Sequence, residues 1–178
     1  MSNIKVLDCT LRDGGYINDW NFGKEKAQII VNLLQKANLD YIEVGFLTIK
    51  NSTKDQTLLD SFNKIKTFLP EKYDKNRLFG MITYGEFPIE QVPEVKDSAV
   101  QGIRVIFKKS KRKEALEYCQ KMIKKGYKLF INPTFTDQYT DEELLALLKE
   151  IQNIHPYGVS IVDSMGVMKE KDLLRLYY

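Results

Sequence analysis

The feature that most constrains this chain is an alternation. Short β-branched runs are separated by longer segments with helical periodicity. The runs are IKVLD (4–8), YIEVGF (41–46), RLFGMIT (77–83), IRVIF (103–107), KLFIN (128–132) and VSIVD (159–163). After the first run, GKEKAQIIVNLLQKA sets Ile29, Ile30, Leu33 and Leu34 on one helical face with charges opposite. The same pattern predicts helices in TKDQTLLDSFNKIKTFL, through Leu58, Leu59, Phe62, Ile65, Phe68 and Leu69, and in KEALEYCQKMIKKG and TDEELLALLKEIQNI. Gly126 is a helix stop, and Thr140 with Glu143 forms a capping box. Pro88 and Pro93 allow only a short or broken helix in FPIEQVPEVKDSAVQG. Six strand–helix units predict a parallel sheet with right-handed crossovers. Periodicity alone leaves two architectures open, a doubly wound open sheet or part of a (β/α)₈ barrel.

The 178 residues, 43% hydrophobic, are enough for one sizeable core, so 1–178 reads as a single domain. A net charge of +3 predicts no nucleic-acid and no membrane partner. Cys9 and Cys119 form no disulfide framework, which suits a reducing, cytoplasmic setting. The stretch MSNIKVLDCTLRD is too short and too soon charged for a signal peptide, and no window is apolar enough to span a bilayer.

Either architecture binds ligands at the carboxyl ends of its strands. The first run ends in Asp8-Cys9-Thr10-Leu11-Arg12-Asp13-Gly14-Gly15, and the second carries Glu43. An adjacent Arg-Asp pair has a chemical logic there. The carboxylate of Asp13 can hold a divalent cation, the guanidinium of Arg12 can steady developing negative charge, and two glycines let a ligand approach the backbone. The competing account is a salt-bridged loop with a Gly-Gly turn. For Glu43 the competing account is a buried acid bonded to a neighbouring strand. Asn132, Thr134 and Asp163 end later runs and offer polar groups on the same face. KKSKRK (108–113) either attracts an anion or is a solvated helix entry, and Trp20 with Phe22 either forms a lid or anchors a loop. By strand alternation Cys9 faces away from Asp8 and Thr10 and packs.

LDCTLRDGG resembles the Asp-x-Thr-Leu-Arg-Asp-Gly signature of the DRE-TIM metallolyases (HMG-CoA lyase-like, pyruvate carboxyltransferase domain). YIEVGF and DSMG are similar to the family's wording at the second and sixth strands, and GGYINDWNF is most similar to the 4-hydroxy-2-oxovalerate aldolase-like branch. The resemblance covers essentially the whole chain and selects the barrel. It implies a metal-dependent lyase or aldolase that makes or breaks a C–C bond next to a 2-oxo acid. Arg12 would stabilise the enolate, Glu43 would line the site, and Asp13 would bind Mn²⁺, Mg²⁺ or Zn²⁺, Mn²⁺ being the first expectation. Tyr16, Asn132, Thr134 and Asp163 would contact a 2-oxo acid or aldehyde substrate. A homo-oligomer is expected as well.

Three departures from the family stand out. Its His-x-His metal motif at the seventh strand has no counterpart here, and the one histidine, His155, falls at the opposite end of the barrel. Where aldolase relatives carry a histidine after Arg-Asp-Gly, this chain has Gly15-Tyr16-Ile17, and an ordinary phenol with pKa near ~10 is a poor base at neutral pH. The chain also stops within MKEKDLLRLYY, an apolar-faced helix without a stop signal. The expectation is thus an α/β fold, a TIM (β/α)₈ barrel truncated to about six βα units. The alternative is a non-catalytic barrel fragment serving as an oligomeric binding or structural module.

Overall fold

The computed structural model describes residues 4–177. Strands β1 (Leu7–Asp8), β2 (Tyr41–Leu47), β3 (Leu58–Leu59), β4 (Leu78–Thr83), β5 (Gly102–Phe107), β6 (Lys128–Pro133) and β7 (Gly158–Val159) alternate with helices. These are α1 (Thr10–Asp13), α2 (Gly15–Asn18), α3 (Lys24–Lys36), α4 (Phe62–Ile65), α5 (Arg112–Lys124), α6 (Asp141–Gln152) and α7 (Glu170–Tyr177). The sheet runs β1-β2-β4-β5-β6-β7, with every pairing parallel and β3 attached to β2. A strand order that follows the chain without reversal has no switch point, which excludes the doubly wound sheet. The fold is α/β, a half-barrel with helices.

Strand alternation divides each run between two environments. Ile42, Leu47, Leu78, Ile82, Ile103, Val105, Leu129 and Ile131 are fully buried, in one core with Val31, Leu116, Met122 and Leu147 from the helices. The opposite, inner face carries Tyr41, Phe79, Phe130 and Tyr157 as an aromatic floor of edge-on and tilted ring contacts. Glycines make this floor possible. A Cβ on Gly102 would lie 1.9 Å from the Phe79 ring, and one on Gly158 2.5 Å from that of Phe130. Beyond the floor the inner face turns polar.

The capping box at Thr140 and Glu143 forms, Gly126 takes up a left-handed φ of +88° after α5, and the proline segment is reduced to two 3₁₀ turns. The predicted single helix over 53–69 does not form. β1 pairs with only Tyr41 and Ile42, which leaves the far edge of β2 open. The chain fills it: Phe46 N donates to Thr57 O and Thr48 N to Leu59 O, each at 3.0 Å. Leu58 and Leu59 therefore form a strand, and the helix is shortened to α4 and a 3₁₀ turn. A bulge in β2 between Glu43 and Phe46 accommodates this, and Gly45 is needed there because a Cβ would meet Thr57 O at 2.3 Å.

Candidate active site

The loop after β1 is built by short-range hydrogen bonds. Asp8 accepts from Thr10 N (3.0 Å) and Thr10 Oγ1 (2.9 Å), and Cys9 O accepts from Arg12 N and Asp13 N, which winds α1. Thr57 Oγ1 donates to Leu11 O at 2.7 Å, and Trp20 Nε1 donates to Arg12 O at 2.8 Å. The two glycines serve this packing. A Cβ on Gly15 would stand 2.1 Å from the Trp20 ring, and one on Gly14 2.6 Å from Thr10 O. Gly15 makes room for the Trp20 ring, whose indole N–H anchors it to the loop.

So fixed, α1 projects Arg12 inward. Its Nε donates to Glu43 Oε2 at 2.7 Å and its Nη1 to Asp13 Oδ1 at 2.8 Å. Glu43 is fully buried, Arg12 is 13% exposed and Asp13 63% exposed. From β5, Arg104 Nη1 reaches both oxygens of Glu43 at 3.2 Å and Cys9 Sγ at 3.6 Å. With its amide oriented to satisfy its neighbours, Asn132 accepts from Arg104 Nη2 (2.9 Å) and Nε (3.2 Å) and donates to Ser160 Oγ (3.0 Å). A continuous polar chain, Asp13–Arg12–Glu43–Arg104–Asn132–Ser160, thus crosses the inner face.

One buried carboxylate between two guanidiniums leaves the inner cluster with a net positive charge before the exposed Asp13 is counted. Burial alone would pull the Arg12 pKa down. The charge of Glu43, its hydrogen bond and Asp13 outweigh that, and the net direction is up, so Arg12 stays cationic. The Cys9 thiol is pushed up to about 11, chiefly by burial and then by Glu43, so it is a neutral neighbour and not a nucleophile.

The remaining candidates lie apart from this cluster. Tyr16 is exposed, stacks edge-on to Trp20 at 4.8 Å and lines a cavity of about 270 Å³ with Trp20, Phe46, Thr83 and Ile106 at the carboxyl ends of the strands. Thr134 uses its hydroxyl and its N–H on Phe107 O and borders a different cavity with Lys108 and Tyr139. Asp163 accepts from Val167 N and Met168 N and shapes a turn; the Met168 bond, with the others of that turn, holds its carboxyl below the usual range. His155 is exposed between α6 and β7, at the amino end of the barrel. Arg104 escaped the sequence reading, although a charge inside IRVIF was its signal. Among the described residues no group of three or more His, Cys, Asp or Glu side chains could hold a metal ion.

No family model matches the chain. It is 27% identical over 175 residues to a 2-isopropylmalate synthase of Staphylococcus carnosus (strain TM300), an alignment covering 92% of this chain and 32% of the synthase. Its fold is similar to the crystal structure of the N-terminal domain of a protein from Bacteroides vulgatus named as an aldolase. That match has a TM-score of 0.50 at 19% identity and covers 89% of this chain and 62% of the other. The chain thus spans about a third of the synthase's length. The second likeness bears on the fold alone. The fold likeness accords with a truncated TIM barrel, and the sequence likeness to the synthase accords with the Arg12-Asp13 wording.

Proposed function

We propose that this chain carries the enolate-stabilising side of a metal-dependent carbon–carbon lyase or aldolase of the 4-hydroxy-2-oxovalerate aldolase type, acting next to a 2-oxo acid. The observation that supports it most is the state of Arg12. Its Nε is committed to Glu43, its Nη1 to Asp13, and its Nη2 donates no hydrogen bond among the described residues. A guanidinium fixed at Nε and Nη1 with Nη2 uncommitted, cationic and largely withdrawn from water, is suited to charge that develops on an enolate oxygen. In this reading Glu43 fixes Arg12, Tyr16 faces the substrate's far end from the 270 Å³ cavity, Thr134 meets it from the second cavity beside Lys108, and Asp163 supports the strand-end turn that borders the site. Asn132 would act through its bond to Arg104.

A divalent cation would supply carbonyl polarisation, with Asp13 as its ligand. Among the described residues the donor set does not fit such an ion by itself. Hard cations take about six oxygen ligands, whereas Asp13 offers one carboxylate already shared with Arg12.

The reading is tested by following exchange of the pyruvate methyl protons in D₂O by ¹H NMR, with and without Mg²⁺. Exchange that Arg12→Lys lowers at least ~100-fold is expected. Absence of exchange with any divalent cation would sink the proposal and leave the oligomeric binding module. Leu145, Leu148, Leu173 and Leu174 on α6 and α7 are each at least 40% exposed. They supply the apolar surface for the proposed homo-oligomer, which sedimentation at several concentrations would detect. No helix among the described residues is long and apolar enough to cross a membrane.

A further inference from the structure

The geometry points to Arg104 as the positioning residue that sets which edge of Arg12 is free to act; this rests on the reading of Arg12 given above. An arginine alone with a carboxylate favours a two-pronged fork, here Nε with Nη2 against both carboxylate oxygens. Arg12 does not make that fork. Only its Nε engages Glu43, through Oε2, because Arg104 Nη1 takes Oε1 and shares Oε2, at 3.2 Å each. Arg12 Nη2 is thereby left over, and Nη1 turns out to Asp13.

Arg104 can hold this post because it is itself held. Its Nη2 and Nε both donate to the Asn132 oxygen, and Asn132 leans on Ser160. Register supports the arrangement, since Arg104 pairs with Met81 on one side and Phe130 on the other, which turns its side chain to the inner face with them. At 16% exposure it is withdrawn from bulk water, and its neighbours on the amino side are the Phe130, Tyr41 and Tyr157 rings. Nearly all its donors are spent inside the protein, so it acts through Glu43 and not on substrate.

Arg104→Gln should release Oε1 of Glu43. Arg12 then swings into the full fork, withdraws Nη2 and loosens from Asp13. The first readout is the ¹⁵N–¹H signal of the Arg12 Nε–H, assigned by its loss in Arg12→Lys, which should move and broaden in Arg104→Gln. The second is pyruvate methyl exchange. Here kcat should fall about tenfold, within the range for residues that orient a reacting group, while KM stays within about threefold. In Arg104→Ala, millimolar guanidinium should restore part of the rate. Arg104→Lys keeps the buried charge and covers the case in which Gln fails to fold. One ammonium cannot span both Glu43 and Asn132, so an intermediate effect is expected.

An unmoved Arg12 signal in a folded variant overturns the inference. So does a loss confined to KM, which would mean that Arg104 touches substrate directly. If the wild-type chain shows no exchange at all, the enolate reading fails, and the Arg12 signal alone still decides whether Arg104 positions it.

Discussion

Glu43 accepts from Arg12 Nε at 2.7 Å on the loop side and from Arg104 Nη1 at 3.2 Å on the strand side, with no exposed surface of its own. Neither arginine is close to the other in sequence, and the two meet only because α1 and β5 converge on one carboxylate. Buried ion clusters contribute little net stability when complete but are costly to break, since the remaining charges stay desolvated.

Glu43→Ala should therefore destabilise the fold by about 3 kcal/mol, read as a lower urea midpoint with an unchanged slope. Glu43→Gln keeps the hydrogen-bonding shape and should cost less. If Ala and wild type share one midpoint, the cluster is not closed in solution.

Gly15→Ala tests the packing of the loop. The added Cβ would fall 2.1 Å from the Trp20 ring, so the ring or the loop has to move. A cost of about 1–3 kcal/mol is expected for such overpacking. Trp20 is the only tryptophan, and its indole N–H is bonded to Arg12 O, so its emission should shift red and become open to acrylamide quenching. Unchanged emission would contradict the anchoring role.

The parallel alternation was legible because buried strands leave continuous β-branched runs and crossover helices leave a 3.6-residue period. What escaped has a physical reason in each case. Leu58 and Leu59 satisfy a helical face and a strand edge equally well, and only the short reach of β1 decides between them. Gly14-Gly15 reads as a ligand loop, while the Trp20 ring that requires Gly15 lies five residues away. Arg104 is the one charge in an otherwise apolar strand run, and its partners come from β2 and β6. Arg12, Asp13 and Glu43 were legible as a set because the first two are adjacent and the third stands out in YIEVGF.

Alkaline pH should destabilise the fold through buried groups whose protons the fold retains. Burial pushes the Cys119 thiol from 9.0 up to about 12, and burial likewise raises Tyr127 to about 12. These groups stay protonated in the fold and ionise first in the unfolded chain. As pH rises through that window the unfolded state binds fewer protons, so stability is full below the unfolded value and is lost towards the folded one. Thermal midpoints should fall steadily from about pH 9 to pH 12, and Cys119→Ala should flatten the slope even though its own midpoint is lower. A slope identical to wild type would show that the thiol is not kept neutral.

Asp13→Asn addresses the cation. Asp13 is exposed, and one of its oxygens is 2.8 Å from Arg12 Nη1, so any divalent ion there competes with a guanidinium for a single carboxylate. Hard cations take six or more oxygen ligands, so a site built on one protein carboxylate should bind only weakly. Mn²⁺ titration followed by the electron paramagnetic resonance of the free ion should show one weak site in the wild-type chain, and Asp13→Asn should remove it. Arg12→Lys makes the opposite test. A lysine ammonium holds the Asp13 carboxylate less rigidly than a planar guanidinium, so the ion should bind at least as well while pyruvate exchange is lost. If Asp13→Asn leaves Mn²⁺ binding unchanged, the ion sits elsewhere, and Asp13 serves only to turn Arg12 outward.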